Sequence, residues 1–238
     1  MSFRSSITII ASPRPRVGKT LLARLLADFH RQEGHAVETF DLNAGEKTLA
    51  HFLPGQTTTA TIRDINGQMA LFDRLVADEN TTKVVDLGHE SFEAFFAVTH
   101  QIGFVEEARS RSIAVAILFT MTPDKTSVEA YRSLRGRFAH ATLAPVHNEM
   151  LGPAQHREYP LASGSPMVRV PALAPGLRRH IETPPFSFAG PQMADAVGIP
   201  PSAHVELQRW LRRIYLEFRE LDLRILLADL RSSIRFGS

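Results

Sequence analysis

The stretch Ser12-Pro-Arg-Pro-Arg-Val-Gly-Lys-Thr20 decides how this chain is read. It follows an apolar run, Ile7-Thr-Ile-Ile-Ala11, whose β-branched residues suit a strand. It leads into Lys19 to Glu33, where apolar residues at 21, 22, 25, 26 and 29 recur at helical spacing and Gly34 ends the run. Gly18-Lys19-Thr20 is the tail of the phosphate-loop pattern G-x-x-x-x-G-K-[ST]. Pro13 stands at the first glycine, so the strict pattern fails, and the case rests on context: a strand before, an amphipathic helix after. At such a junction the amides of Val17, Gly18, Lys19 and Thr20 can converge on phosphate oxygens, with Lys19 adding a point charge and Thr20 a hydroxyl for Mg²⁺.

Working outward, apolar runs of strand length alternate with helical stretches. Ala36 to Phe40 reads as a second strand running into Asp41, and Gln68 to Ala77 as a helix. Lys83 to Leu87 is a short strand and Phe92 to Ile102 an apolar helix. Ser112 to Met121 holds a continuous apolar run, the mark of a strand buried on both faces. A helix over Asp124 to Phe138, strands over Ala141 to His147 and Met167 to Val170, and a helix near 172–182 complete the series. The stretch 42–66 is rich in turn residues and yields no assignment. Alternation of this kind predicts an α/β fold, three layers with a mostly parallel sheet flanked by helices.

The composition narrows the function. Apolar residues make up 44% and charged residues 22% of 238, enough to build a core and too few charges for wholesale disorder. Cysteine is absent, which removes disulfide scaffolds, thiolate metal sites and cysteine nucleophiles, and fits a reducing, cytoplasmic setting. The ten His residues show no ligand spacing, G-x-S-x-G is missing, and the basic clusters at 178–180 and 212–213 are too short to argue nucleic-acid binding. Four of the 27 basic residues are Lys, so the cations are overwhelmingly Arg, yet composition alone places no basic patch. The opening apolar run is far shorter than the ~20 residues a membrane span needs.

Eleven of the 15 prolines fall within 145–201, predicting extended loops and short helices. Beyond them, 203–235 carries Leu207, Trp210, Leu211, Ile214, Phe218, Leu221 and Ile225 at helical spacing. The expected organisation is a nucleotide-binding domain over 1–200 and a C-terminal amphipathic helix, or helix pair, over 201–238. Packing against the sheet domain is its first reading; a dimer contact or a membrane surface are the others.

The stretch Ile7 to Asn43 resembles the start of the ParA/MinD family of deviant Walker A P-loop ATPases, of the SIMIBI class, here with a degenerate P-loop. Their loop reads K-G-G-x-G-K-[ST]. Aligned on Gly18-Lys19-Thr20, the family's signature lysine falls at Arg14, and its two glycines at Pro15 and Arg16. Thr39-Phe-Asp-Leu-Asn43 resembles the first switch region, Val84-Val-Asp-Leu-Gly88 the Walker B strand and second switch, Val146-His-Asn148 the strand end that reads the base, and Val170-Pro-Ala-Leu173 a proline segment on the base side.

The resemblance implies ATP or ADP and Mg²⁺ as ligands. It implies a nucleotide-binding set of Arg14, Pro15, Arg16, Val17, Gly18, Lys19, Thr20, Leu21 and Asn148, with Asn148 on the adenine. Thr20 and Asp86 would hold the metal. Arg14, Lys19 and Asp41 would serve hydrolysis, Asp41 by orienting water and Arg14 by reaching the phosphates of a partner subunit across a nucleotide-dependent homodimer. The implied function is an ATP-dependent dimerisation switch that positions or regulates a cargo or complex through a further protein partner; nothing supports membrane or DNA as that partner. Taken singly, Asp41 and Asp86 also read as helix caps and Asn148 as a turn residue. Pro15 lacks an amide proton, and Arg16 carries a Cβ where a positive φ would strain it, so both weaken the loop. A non-hydrolysing regulatory or scaffold protein on the same fold, or a P-loop small-molecule kinase or synthetase, are the alternatives.

Overall fold

Strands that are apolar on both faces belong in the middle of a covered sheet, and that is where these lie. The structure, a computed structural model, describes residues 5–43, 45, 48–78, 80–152, 159, 167–189 and 199–235, the last eight of these without their side chains. Parts of the predicted proline-rich stretch, at 153–158, 160–166 and 190–198, lie outside the described residues.

Seven strands, β1 (Ser6–Ala11), β2 (Val37–Asp41), β3 (Thr57–Thr59), β4 (Thr82–Asp86), β5 (Ala114–Thr120), β6 (Thr142–Asn148) and β7 (Val168–Val170), form one sheet in the order β3-β2-β4-β1-β5-β6-β7. Every pairing is parallel, not merely most of them. Register sets Ile10 beside Asp86 and Asp41 beside Asp86, so the C-terminal ends of β1, β2 and β4 meet along one edge. The central strands alternate between two cores. Ile10, Val84 and Leu118 enter one, and Ile7, Ile9, Val85, Val115, Ile117 and Phe119 enter the other.

Helices cover both faces, as parallel crossovers require. The first face carries α1 (Lys19–Gln32), α2 (Leu49–Phe52), α7 (Pro175–Ile181) and α8 (Pro201–Arg235); the second carries α3 (Ile65–Val76), α4 (Phe92–Gln101), α5 (Phe104–Ser110) and α6 (Lys125–Arg137). Asp64 and Asp124 cap α3 and α6 by accepting from the amides of Gly67 and Ser127. Three of these elements were unassigned in the sequence. α5 is seven residues long, β3 is a bare Thr-Thr-Thr edge, and α2 is one turn. Each lacks the length over which periodicity shows. Hydroxyl bonds from Thr39 to the Gln56 carbonyl at 2.7 Å and to Thr57 at 2.8 Å tie β3 to β2.

The C-terminal stretch is one helix, α8, not a pair. Leu207, Trp210, Leu211, Ile214, Phe218 and Leu221 are buried in the first core, and Trp210 donates its indole N–H to the Pro171 carbonyl at 2.8 Å. Its other face exposes Leu216, Leu223 and Leu227. No helix among the described residues is long and apolar enough to cross a membrane.

Helix α1 lies between the sheet and this outer layer, so its polar residues are buried too. Arg24 donates to the carbonyls of Ile181 at 2.9 Å and Phe186 at 3.2 Å, and its guanidinium sits 3.8 Å from the Phe52 ring centroid. Asp28, 0% exposed, accepts from the Phe188 amide and the Ser187 hydroxyl and pairs with Arg31 at 3.0 Å. These two side chains stitch 181–188 to α1. An Asp28→Ala variant leaves the Phe188 amide without an acceptor and removes a negative charge facing two arginines, so it should cost about 3 kcal/mol in urea unfolding.

Candidate nucleotide-binding site

The loop between β1 and α1 runs along the C-terminal edge of the sheet, where ligands of open α/β sheets bind. Its backbone is tightly set. Gly18 has φ +91° at the helix N-cap, and a Cβ there would lie 2.5 Å from Asn148 Nδ2, so glycine is required on both counts. Arg16 adopts φ +58°, the left-handed conformation that the sequence reading flagged as strained for a residue with a Cβ. Pro15 follows Arg14 on the outer rim, exposed like Arg16, while Val17 is buried beneath.

Most of the expected residues gather here. Thr20 Oγ1 donates to Asp86 Oδ2 at 2.6 Å, joining α1 to the end of β4 across 66 residues of chain. Asp86 is wholly buried and its second oxygen, Oδ1, has no hydrogen-bond partner. Burial pushes its carboxyl up to about 7, Asp41's charge adds to this, and the Thr20 hydroxyl and Lys19 oppose it. Lys19, 6% exposed, folds back to donate from Nζ to the Arg14 carbonyl at 2.8 Å. Burial lowers its pKa, while Asp86 pulls it upward.

Asp41 and Asn148 sit at the ends of β2 and β6, and both are engaged by protein partners. Asp41 Oδ1 accepts from both nitrogens of Asn43 at 2.9 Å, and Oδ2 accepts from the Ala50 amide at 2.8 Å, which anchors the start of α2. Asn148 donates to the Val17 carbonyl at 3.1 Å and accepts from the Met150 amide at 3.1 Å, bracing the phosphate loop from the β6 side. Leu21 lies half-buried in the first turn of α1, packed on the first core. Beyond Asp41, a cleft of about 210 Å³ opens between the ends of β2 and β4, lined among others by Asn43, Thr61, Arg63, Gly88, His89 and Ser91.

Arg14 makes a contact that the sequence did not disclose. Its Nε donates to Asp124 Oδ1 at 2.9 Å and Nη2 bonds the same oxygen, 110 residues away. Asp124 carried only a helix-start signal in the sequence.

The donor set fits a hard divalent cation. A buried carboxylate oxygen without a partner, beside a threonine hydroxyl already facing the same carboxylate, suits Mg²⁺, which binds through one or two protein oxygens and otherwise through phosphate and water. Among the described residues, no group of three or more His, Asp or Glu side chains could hold a metal ion.

The strand order and the glycine-lysine-threonine loop between β1 and α1 place the chain in the P-loop NTPase fold class. No family model matches it, and no curated protein matches it in sequence. Among solved structures, MinD from the MinC:MinD cell division complex of Aquifex aeolicus is similar at 14% identity and a TM-score of 0.46, over 88% of this chain and 95% of that one. Aquifex aeolicus MinD alone gives 14% identity and a TM-score of 0.44 over 88% and 96%. The signal recognition particle 54 kDa protein of Aeropyrum pernix K1, in complex with GDP, gives 15% and 0.41 over 65% and 37%. At such identities and scores, strand order and loop remain the grounds for the fold class.

Two measurements check this geometry. Gly18→Ala should lower the melting temperature by several degrees, since it loads a left-handed φ and collides with Asn148, whereas Gly136→Ala, which meets nothing within 4 Å, should not. Asp86 titrates higher in the folded chain than its ordinary 3.8, so the folded state holds the proton longer and loses stability as pH rises from about 4 to 7. Asp86→Asn should therefore exceed the wild type in stability above pH 7, by roughly 4 kcal/mol at most, with the gap closing toward pH 4.

Proposed function

We propose that this chain binds a nucleoside triphosphate with Mg²⁺ and works as a nucleotide-dependent switch, in the manner of the ParA/MinD ATPases it resembles. The observation that carries the reading is the Thr20–Asp86 pair with its unpartnered Oδ1, set beside Lys19 at the mouth of the β1–α1 loop. Thr20 and Asp86 would hold Mg²⁺, whose charge would offset that of the phosphates. Lys19 leaves the Arg14 carbonyl for a phosphate oxygen, exchanging a neutral acceptor for a charged one. The amides of Val17 to Thr20 cradle the phosphates at the N-terminus of α1, and Asn148 holds the loop against β6. Adenine is the base and two copies of the chain the assembled form, both on the strength of the resemblance.

A second reading, binding with little or no turnover, is favoured by specific geometry. Both carboxylate oxygens of Asp41 are engaged by amide groups, which suits an anchor for 43–50 better than a group that orients water. The proline at 15 removes one amide donor from the loop, and Arg16 holds φ +58° at a conformational cost.

Calorimetric titration with ATP tests the site, and sizing with ATP tests the switch. Lys19→Ala should weaken ATP at least tenfold, and Thr20→Ala should abolish the gain in affinity from added Mg²⁺. An ATP-dependent shift in mass on sizing supports the switch. Absence of binding at millimolar ATP would overturn the nucleotide reading, and binding without phosphate release would establish the non-hydrolysing form.

A further inference from the structure

Arg14 occupies the position that gives the phosphate loop its outer cation, yet it is already committed. Asp124, at the N-cap of α6, takes both Nε and Nη2 of Arg14 on Oδ1. The same oxygen caps α6 through the Ser127 amide at 3.1 Å, and Oδ2 takes the Thr122 hydroxyl at 2.7 Å. The loop that carries Asp124 is held in turn. Tyr159 donates to the Thr122 carbonyl at 2.7 Å, accepts from the Thr122 amide at 3.1 Å and meets the Ser127 hydroxyl at 2.7 Å. Asp124 is therefore a fixed acceptor at the end of β5, with the flexible partner being the arginine.

We infer that Asp124 is a gate on the phosphate loop: it holds Arg14 away from bound polyphosphate, and a nucleotide must displace it to recruit that guanidinium. The inference rests on the nucleotide reading above and adds a positioning residue to it. Three observations carry it. The pair spans two loops, β1–α1 and β5–α6, whose strands are neighbours in the sheet, so the carboxylate that holds Arg14 sits at the same sheet edge as the phosphate loop. Lys19 is spent on the Arg14 carbonyl, so two of the loop's three basic groups, Arg14 and Lys19, rest on protein acceptors, while Arg16 lies exposed on the rim. Each member of the pair is about one-third to two-fifths exposed, which keeps the contact weak enough to be exchanged for a phosphate. The Arg14 guanidinium also holds the Asp124 carboxyl down to about 2, so the carboxylate stays ionised throughout the physiological range. If Arg14 serves a partner subunit's phosphates, the same release must come first.

The experiment is a double-mutant cycle read by calorimetric titration of ATP with Mg²⁺ at low salt, alongside thermal melts. Asp124→Asn keeps the cap, because asparagine serves that position as well as aspartate, and removes the charge. It should tighten ATP binding roughly two- to fivefold, the fold-change expected from freeing a half-exposed ion pair. Its melting temperature should stay level or fall. A merely structural role would lower affinity together with stability, so the opposite signs are diagnostic. Arg14→Ala should weaken ATP, and Asp124→Asn should do little in that background. Wild-type binding with an unchanged or weaker Asp124→Asn variant, or a tightening that persists undiminished without Arg14, overturns the gate and leaves the nucleotide site standing. A wild type that binds no ATP, and that matches Lys19→Ala, overturns the nucleotide reading and the gate with it.

Discussion

Burial of helix α1 from Lys19 to His30 is the constraint on which the rest of the structure depends. A helix at the first crossover of a parallel sheet usually shows a wet outer face. Here α7, α8 and the 181–188 segment cover that face, so Arg24, Asp28 and His30 had to find partners inside the protein. Arg24 and Asp28 find them on the covering segment itself, and in doing so hold it in place. The same burial suppresses charge: His30 is kept neutral down to about 3, and Arg24 is pulled to about 9, each chiefly by desolvation. The N-terminus of this covered helix presents Lys19 and Thr20 to the sheet edge, so the C-terminal third of the chain packs against the helix that opens the site.

The site is organised around acceptors more than donors. Asp41 and Asp86 end β2 and β4, Asp124 caps α6, and each takes a different load. Asp41 secures the segment that leads to α2, Asp86 meets Thr20 with one oxygen unused, and Asp124 holds Arg14. Two of the three carboxylates thus face the phosphate loop. Such an edge would oppose an anion until a divalent cation entered or the arginine moved, and under the proposed function that opposition would separate the two states.

Much of this was legible in the chain. The β-branched run at 7–11 forecast a strand, the continuous apolar run within 112–121 forecast a strand buried on both faces, and alternation with helical periodicity forecast a mostly parallel sheet. The order of Gly18-Lys19-Thr20, Asp41, Asp86 and Asn148 forecast that they would meet at one edge, because each lies at the end of a strand or the start of the helix that follows one. Arg16, which stands where the resembled loop has glycine, takes the positive φ that such a position implies. What could not be read was short or polar. β3 is three threonines, α5 a single acidic-fronted stretch, and the buried polar side chains of α1 look like a solvent face when only periodicity is consulted.

Local sequence therefore determined the type and order of the longer elements and set the Gly-Lys-Thr loop at the first strand–helix junction, since both follow from propensity and periodicity. Tertiary structure decided the pairings. Thr20 with Asp86, Arg14 with Asp124, and Arg24 with the carbonyls of Ile181 and Phe186 join residues 66, 110 and more than 150 positions apart. Strand order and the covering C-terminal segment bring those residues together; the low dielectric around Arg24 and Asp86 favours polar partners there, while the half-exposed Arg14–Asp124 pair stays exchangeable.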